Sequence, residues 1–254
     1  MSRGRSALSG LVEWLARTAG WLGRRRVVRP GPGPVLVNLG SSLVVAPGWI
    51  NVDGSLSALA ASWPPLAQRL IYRLTSVRAL MPEREFLATL RSSRFVHHLL
   101  EYGIPLPSAC ADVIFSSHLL EHLSRPDGEQ MLREAWRVLK PGGRIRIDVP
   151  DLAKVIELYQ AGEKRQALEG LFAYSDVGFF ARHRYMYDFD VLRDALERVG
   201  FRQVEQCPFG VGRVPDLAIL DNRPESLCVE AVKGEGLPEY HEDAKARSFT
   251  KKRN

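Results

Sequence analysis

Short apolar runs alternate with segments of helical periodicity through residues 35–233. Runs such as Val35–Leu39 end in small or polar residues, as buried strands do, whereas Phe189–Val199 places apolar side chains three and four positions apart. This alternation predicts an α/β fold with a mostly parallel sheet and helices on both faces. The last two runs, Phe201–Cys207 and Ser226–Val232, have no clear helix between them and predict a C-terminal antiparallel hairpin. The other predicted strands are Trp49–Val52, Phe95–Leu100, Asp112–Ser116 and Arg144–Val149, and the other helices are Glu129–Leu139, Leu152–Tyr159 and Gln166–Phe172.

Breaks in this pattern divide the chain into three parts. Residues 1–30 form a basic extension with helical periodicity, and a Pro-Gly repeat at 30–34 separates this extension from the body. The body, residues 31–233, holds the predicted sheet and includes a helical insertion at 58–92. Residues 234–254 are polar and charged, which predicts a disordered tail.

The N-terminal extension has the pattern of one amphipathic helix with Ser6 as its cap. Trp14 and Trp21 flank its apolar stripe, and Glu13, Arg17 and Arg24 lie on the opposite side. A basic helix with flanking tryptophans is typical of peripheral contact with an anionic membrane, here through residues 6–26. The alternative is a helix that packs on its own domain or on a partner. The stripe consists of Leu8, Leu11, Val12, Leu15, Ala19 and Leu22.

The charge distribution argues against a nucleic-acid partner. The chain of 254 residues has a formal net charge of +6. Residues 1–30 alone supply that excess, with seven arginines and one glutamate, whereas residues 31–233 hold 23 basic and 24 acidic side chains. A balanced body offers no phosphate-binding groove, so we expect no nucleic-acid partner. The three cysteines are far apart and suggest no disulfide framework, which favours a cytoplasmic protein, with any membrane contact a peripheral one.

Residues at the ends of the first two predicted strands indicate an adenosine-containing ligand. Gly40 and Ser41 follow the first strand, where a glycine lets the backbone approach a ligand closely. Asp53 ends the second strand, and a carboxylate at that position can accept hydrogen bonds from ribose hydroxyls. The dinucleotide fingerprint and the phosphate-loop motif are both absent from the sequence. Ligands of open α/β sheets bind beyond the carboxyl ends of the strands, so these residues would share one site.

Four motifs lie in order along the chain: VLVNLGS at 35–41, GWINVD at 48–53, DVIFSSHLLEHL at 112–123 and LKPGGRIRI at 139–147. Together they resemble the class I S-adenosylmethionine-dependent methyltransferases, in particular the methyltransferase type 11 branch. A later segment, residues 183–188, is similar to that branch as well. The resemblance implies a Rossmann-like fold and S-adenosylmethionine as the cofactor. It also implies methyl transfer to a small-molecule, sugar or lipid-linked acceptor.

The resemblance assigns a role to each strand end. Gly40 and its neighbours would face the methionine part of the donor, and Asp53 would hold the ribose hydroxyls. Two positions depart from the family's pattern, because Ser42 replaces the usual second glycine and His98 stands where the third strand usually ends in an acid. These departures keep a non-catalytic adenosine-ligand binding module open as an alternative. The implied donor-site residues are Asn38, Gly40, Ser41, Asp53, Ser116 and Ser117.

Two histidines are candidate catalytic residues. A hydroxyl acceptor benefits from a general base, and the pKa of histidine near neutrality suits that role. His118 lies just after the third motif's strand, beside the implied donor site. His183 lies in the aromatic-rich segment 179–187, which could form a wall of the acceptor pocket.

His118, Glu121 and His122 also match the inverted zinc-protease motif His-x-x-Glu-His, so a zinc hydrolase is a further alternative. That chemistry needs both histidines on one face of a helix, a third ligand and a position for water. His118 immediately follows a predicted strand, and the sequence suggests no third ligand. We therefore expect no metal site.

Overall fold

The computed structural model describes residues 14–172 and 182–235. The strands are β1 Leu36–Leu39, β2 Ile50–Asp53, β3 Arg94–His97, β4 Ala111–Ser117, β5 Leu139–Pro150, β6 Phe201–Cys207 and β7 Ser226–Lys233. The helices are α1 at residues 14–23, α2 Leu56–Ala60, α3 Pro65–Leu74, α4 Glu83–Ser92, α5 Arg125–Val138, α6 Leu152–Gln160, α7 Lys164–Phe172, α8 Phe189–Val199 and α9 Leu217–Leu220.

The strands form one seven-stranded sheet in the order β3-β2-β1-β4-β5-β7-β6. The first five are mutually parallel, and β7 pairs antiparallel with both β5 and β6. The predicted Rossmann-like fold class is therefore confirmed, including the antiparallel strands at the C-terminal end. Strand order reverses at β1, where β2 lies on one side and β4 on the other, and a ligand crevice is expected at that point.

The sheet is covered differently on its two faces. Alternate strand residues such as Val37 and Ile114 pack in one large cluster with Leu132 of α5 and Leu196 of α8. Their neighbours along the strands, such as Phe115, pack in a second cluster with residues that lie between β6 and β7. The second cluster consists of Ala46, Trp49, Phe115, Val214, Leu217 and Leu220. The connection between β6 and β7, residues 208–225, therefore covers one face of the sheet and approaches its carboxyl edge.

The third strand is shorter than the pattern Phe95–Leu100 predicted. It ends at His97, and Leu100–Tyr102 form a single 3₁₀ turn. Leu99 leaves the sheet, and its side chain packs against the backbone of two glycines, Gly20 and Gly54. A Cβ at either glycine would lie 2.6 Å from Leu99. The helix α1 is therefore held close to the carboxyl ends of β2 and β3.

Other elements also differ from the predicted ones, and β5 begins at Leu139 rather than at Arg144. The helix α5 begins at Arg125 rather than at Glu129, because the Ser124 side chain caps it and Pro126 fits its first turn. A short helix, α9, interrupts the connection between the last two strands, where none was predicted. The insertion predicted at 58–92 contains the end of α2 together with α3 and α4. These three helices share a cluster of their own around Leu56, Ile71 and Phe86.

The helix α1 packs on the body through its small residues. Ala16 and Gly20 are buried, and Arg17 forms an ion pair with Glu101 at 3.6 Å. The predicted apolar stripe points elsewhere, since Leu22 is 71% exposed and Leu15 is also exposed. Ser6, Leu8, Leu11 and Val12 lie outside the described residues, as does nearly all of the predicted tail at 234–254. Among the helices that are described, none combines the length and the apolar character needed to cross a membrane.

Candidate functional site

A cavity of about 110 Å³ opens at the carboxyl ends of β1 and β4, where the strand order reverses. The register of the sheet brings these ends together, because Leu39 pairs with Ser116. Five of the predicted donor-site and catalytic residues line the cavity: Asn38, Gly40, Ser41, Ser117 and His118. Six residues complete the lining: Ser42, Val44, Phe115, Leu220, Asn222 and Arg223.

The turn after β1 depends on Gly40. Its φ is +66°, in the left-handed region that favours glycine. A Cβ at this position would lie 3.0 Å from Cβ of Leu119, so the side chain of Leu119 occupies the space that any larger residue would need. Ser42 follows with φ +46°, and its amide donates a hydrogen bond of 2.8 Å to Asp53 Oδ2. The first two strand ends are thus tied to each other.

Asp53 lies at the end of β2, outside the cavity lining. Its carboxylate accepts hydrogen bonds from the amides of Ser42 and Ser55, at 2.8 and 2.7 Å. Each carboxylate oxygen can accept further bonds, so Asp53 can hold the turn after β1 and still accept from a ligand.

Of the two predicted catalytic residues, His118 has the more tightly held side chain. Its backbone has φ +50°, and its ring joins two side chains: Nδ1 lies 3.1 Å from Glu121 Oε1 and Nε2 lies 2.8 Å from Ser226 Oγ. A carboxylate can only accept, so Nδ1 donates to Glu121 and the lone pair of Nε2 accepts from the Ser226 hydroxyl. Arg223 Nη1 also lies 3.0 Å from Nδ1, and because a guanidinium only donates, this contact competes with the one to Glu121 for Nδ1. The contacts together fix the orientation of the imidazole, and the bond to the buried carboxylate of Glu121 favours the tautomer with its proton on Nδ1.

His183 lies outside the cavity lining, with Glu121 and His122 as its neighbours. Its Nδ1 donates to the carbonyl of Gly170 at 3.0 Å, and its ring centroid lies 5.2 Å from that of His122. Burial lowers the pKa of His183, which favours its neutral form. The structure therefore separates the two predicted bases: His118 borders the cavity, whereas His183 belongs to a group with Glu121 and His122.

The motif His-x-x-Glu-His does not form the helix that a zinc hydrolase of that type requires. Leu120–His122 form a 3₁₀ turn, and His118 precedes it in a left-handed conformation. The ring of His118 contacts Ser226, whereas His122 contacts the ring of His183. The two histidines of the motif therefore contact different residues and do not face one shared metal position.

Residues 63–147 match a protein-family model described as a methyltransferase domain, of the methyltransferase type 11 group. The predicted resemblance to the class I S-adenosylmethionine-dependent methyltransferases is confirmed. The matched region begins in the link between α2 and α3 and ends within β5. It includes the end of β4, where Ser116, Ser117 and His118 lie. The match supports S-adenosylmethionine-dependent methyl transfer, and the cofactor it implies is S-adenosylmethionine. It leaves the acceptor unspecified.

Several solved methyltransferase structures are similar to this chain at low identity. The CurJ carbon methyltransferase is 18% identical with a TM-score of 0.42, and the match covers 83% of this chain but only 49% of the other. An S-adenosylmethionine-dependent methyltransferase of Thermotoga maritima is 16% identical with a TM-score of 0.44, over 88% of this chain and 91% of the other. One from Archaeoglobus fulgidus is 15% identical with a TM-score of 0.43, over 88% and 94%. This chain therefore spans about half the length of the CurJ enzyme, and all three likenesses are too distant to assign an acceptor.

The polar groups at the strand ends fit S-adenosylmethionine. Ser41 Oγ and Ser116 Oγ are buried without a hydrogen-bond partner among the described residues, at the ends of β1 and β4. An unpaired buried polar group costs about 1–3 kcal/mol, so such groups beside a cavity point to a polar ligand. The donor's amino acid and adenosine parts offer such polar groups.

The sequence missed the residues that the connection between β6 and β7 contributes. Asn222 and Arg223 reach the cavity because Asp221, which follows α9, binds the buried guanidinium of Arg146. One sequence signal could have indicated this connection: Arg144 and Arg146 alternate with isoleucines in β5. Two charges on one face of a central strand need buried acidic partners from a segment that covers that face. Ser226 and the grouping of Glu121 with His183 had no signal, because each joins residues far apart in the chain.

Proposed function

We propose that this protein transfers the methyl group of S-adenosylmethionine to a hydroxyl group of a sugar or lipid-linked acceptor, with His118 as the general base. The observation that carries the proposal is the chain of contacts Glu121–His118–Ser226 at the edge of the cavity. A base is needed for a hydroxyl acceptor, whose pKa lies far above neutrality. The acceptor class is an inference from this base and from the exposed apolar face of α1.

The donor half of the site is formed by the turns after β1, β2 and β4. Gly40 and Ser41 would contact the methionine part, Asp53 the ribose hydroxyls, and Ser116 and Ser117 the region of the sulfonium. Bound S-adenosylmethionine supplies an electrophilic methyl group on a positively charged sulfur. The protein's main contribution is alignment of the two reactants, since that charge already activates the donor.

The acceptor half depends on His118. Glu121 is fully buried and orients the imidazole by accepting from Nδ1, which leaves the Nε2 lone pair for a hydroxyl proton. In the structure the Ser226 hydroxyl donates to that lone pair. The hydroxyl of a bound acceptor would take the same position and replace this hydrogen bond. As the acceptor oxygen bonds to the methyl carbon, its proton passes to Nε2 and the bond from carbon to sulfur breaks. Glu121 is thus a positioning residue that acts through His118 and stabilises the imidazolium formed.

A lipid-linked acceptor is supported by the surface of α1. Trp14 and Trp21 are 60% and 51% exposed on the described part of this helix, together with Leu15 and Leu22. Arginines follow directly along the chain, and residues 14–30 contain no acidic side chain. We propose that this face contacts anionic lipid, which makes the protein cytoplasmic and peripheral to the membrane.

The test is turnover with labelled S-adenosylmethionine against a panel of sugars, small alcohols and lipid-linked sugars in vesicles. The variant His118→Asn keeps a residue that tolerates left-handed backbone. We expect its turnover to fall by about 10²–10⁴-fold with donor affinity by calorimetry unchanged. The variant Glu121→Gln should lower kcat by a smaller factor and leave donor affinity unchanged.

Three results would count against the proposal. Full turnover in His118→Asn would exclude that residue as the base. Methylation of nitrogen or carbon acceptors alone would exclude a hydroxyl acceptor. Tight donor binding without turnover on any acceptor would favour the non-catalytic binding module instead.

A further inference from the structure

Three ligand-type side chains converge beside the cavity and outside the donor site. Glu121, His122 and His183 each place one nitrogen or oxygen atom within 4.8 Å of the other two. Glu121 Oε1 and His122 Nε2 lie 3.8 Å apart. The main chain supports this grouping, because the amides of Arg184 and Tyr185 both donate to the carbonyl of Glu121, at 2.7 and 3.2 Å. The segment that carries His183 is thus fastened to the turn that carries the other two residues.

Both imidazoles are oriented by carbonyl groups. His122 Nδ1 lies 3.2 Å from the carbonyl oxygen of Arg182, and His183 Nδ1 lies 3.0 Å from that of Gly170. Since a carbonyl only accepts, Nδ1 carries the proton in each ring and Nε2 keeps its lone pair. Metal-binding histidines show this same arrangement, in which the second ring nitrogen donates to a carbonyl or carboxylate.

Glu121 supplies an independent indication of a cation. Its side chain is fully buried, and Oε2 has no hydrogen-bond partner among the described residues. A buried carboxylate oxygen without a partner is costly, and here its neighbours are imidazole lone pairs, which cannot donate to it. A carboxylate and two lone pairs present acceptors only, and a metal ion satisfies all three.

We propose that Glu121, His122 and His183 form a binding site for a divalent zinc ion. Two histidines and one glutamate are a ligand set that zinc uses, with a fourth position left for water or another oxygen. Zinc would draw the ligand atoms to roughly 3.4 Å from one another, given bonds of about 2.0–2.1 Å. Half-buried His122 can make this adjustment by rotation of its side chain. His183 is the third ligand that the sequence did not reveal. The His-x-x-Glu-His motif suggested His118 as a ligand beside Glu121 and His122, and in this site His183 takes that role.

The site adjoins the proposed base. Glu121 contacts His118 through Oε1, so a metal ion on Glu121 would reduce the negative charge available to the imidazolium. This link to catalysis rests on the proposed function, whereas the metal site itself does not. The experiment therefore measures metal directly.

The test is elemental analysis of the full-length, tag-free protein purified without chelators, followed by titration with Zn²⁺ against a chelating indicator. We expect stoichiometric zinc in the wild type. The variants Glu121→Gln, His122→Ala and His183→Ala should each lose most of it, and His97→Ala, whose ring bonds to Gly54, should retain it. Replacement by Co²⁺ should give the intense visible absorption of a four-coordinate site in the wild type and not in His183→Ala.

Donor affinity and thermal melting separate metal loss from unfolding. His183 is only half-buried, so His183→Ala should melt cooperatively and bind S-adenosylmethionine as the wild type does. A wild type that neither contains zinc nor competes with the indicator for Zn²⁺ would overturn the proposal, as would full zinc retention in His183→Ala. Absence of methyl transfer would contradict the proposed function and leave the metal result standing.

Discussion

Arg146 Nη2 lies 2.5 Å from Asp221 Oδ2, and neither side chain is exposed to solvent. Arg146 is on β5, and Asp221 directly follows α9, so this ion pair fastens the connection between β6 and β7 to the sheet. Asp221 Oδ2 also accepts from the amide of Gly210 at 2.7 Å. Glu230 of β7 accepts from Arg146 and from the amides of Arg213 and Val214. The far end of the same connection brings Asn222 and Arg223 to the cavity.

Removal of Asp221 should be strongly destabilising. The variant Asp221→Ala leaves a buried guanidinium without its closest partner, a change that typically costs about 3–5 kcal/mol of unfolding free energy. Chemical denaturation measures this directly. Asp221→Asn, which keeps one acceptor oxygen for the guanidinium, should lose less than Asp221→Ala. A loss below about 1 kcal/mol in Asp221→Ala, the range of a surface ion pair, would contradict the buried anchor.

Asp148 should make the stability of the protein fall as pH rises. Burial, with the added repulsion of Asp221, raises the pKa of Asp148 to about 8 in the folded protein, although Arg146 opposes the shift. An unfolded aspartate has a pKa of about 3.9, so the folded state alone holds this proton between about pH 4 and pH 8. Its contribution to the free energy of unfolding is therefore complete below pH 4 and is lost at up to about 1.4 kcal/mol per pH unit as pH rises toward 8.

The variant Asp148→Asn isolates this effect, because an amide keeps the shape of the protonated acid and does not titrate. From pH 6 to pH 8 the unfolding free energy of the wild type should fall relative to that of Asp148→Asn. Denaturant unfolding at several pH values provides the measurement. Asp190→Asn, at an exposed position of α8, serves as the control. A difference that stays constant with pH would show that Asp148 is ionised throughout.

The conformation of Gly40 gives a prediction for donor binding. Gly40→Ala adds a Cβ 3.0 Å from Leu119 at φ +66°, so the turn after β1 must shift. The left-handed backbone alone costs about 1–2 kcal/mol for a residue with a Cβ. Gly142→Ala is a matched control, since Gly142 has φ +74° and a Cβ there would meet nothing within 4 Å. We expect both variants to lose stability and only Gly40→Ala to lose affinity for S-adenosylmethionine in calorimetry.

Asp53 combines a structural and a ligand-binding role. Asp53→Ala removes the acceptor for the amides of Ser42 and Ser55 and should cost about 1–3 kcal/mol of stability. Asp53→Asn keeps one acceptor oxygen and should melt nearer the wild type. Both should weaken S-adenosylmethionine binding by about 1.5–3 kcal/mol, the range for a hydrogen bond to a charged group. Unchanged donor affinity in both variants would exclude a ribose contact at this residue.

The sheet could be predicted from the sequence because local periodicity determines which residues form strands. The apolar run Asp112–Ser116 lies within β4, and Gly200 ends α8 in the left-handed conformation that the sequence led us to expect. The strand ends then align by topology, which is why Gly40, Ser41, Ser117 and His118 could be placed in one site.

The parts that could not be predicted are contacts between distant segments. His183 meets Glu121 only because two backbone amides near it donate to the carbonyl of Glu121. Ser226 meets His118 only because β7 inserts between β5 and β6 in the sheet. The packing face of α1 could not be predicted for a similar reason: Leu99 packs against the backbone of Gly20, which has no side chain, and not against a leucine of the apolar stripe.

The exposed face of α1 yields the final prediction, for membrane binding. Because the helix packs on the body through Ala16 and Gly20, substitutions on its outer face test lipid contact without removing that packing. The double variant Trp21→Ser with Leu22→Ser should lose binding to vesicles that contain anionic lipid and should keep its affinity for S-adenosylmethionine. Wild-type binding should weaken at high salt, since each arginine near an anionic surface contributes about 1 kcal/mol. The arginines of this segment are Arg24, Arg25, Arg26 and Arg29.

Vesicle co-sedimentation at low and high salt provides the measurement for α1. A matched control is the double variant Ile156→Ser with Tyr159→Ser, which removes two apolar side chains of similar exposure from α6. The control should sediment with anionic vesicles as the wild type does. Equal sedimentation of the α1 variant and the wild type would exclude this face as the contact. Equal binding of the wild type to neutral and anionic vesicles would exclude the arginines as its basis.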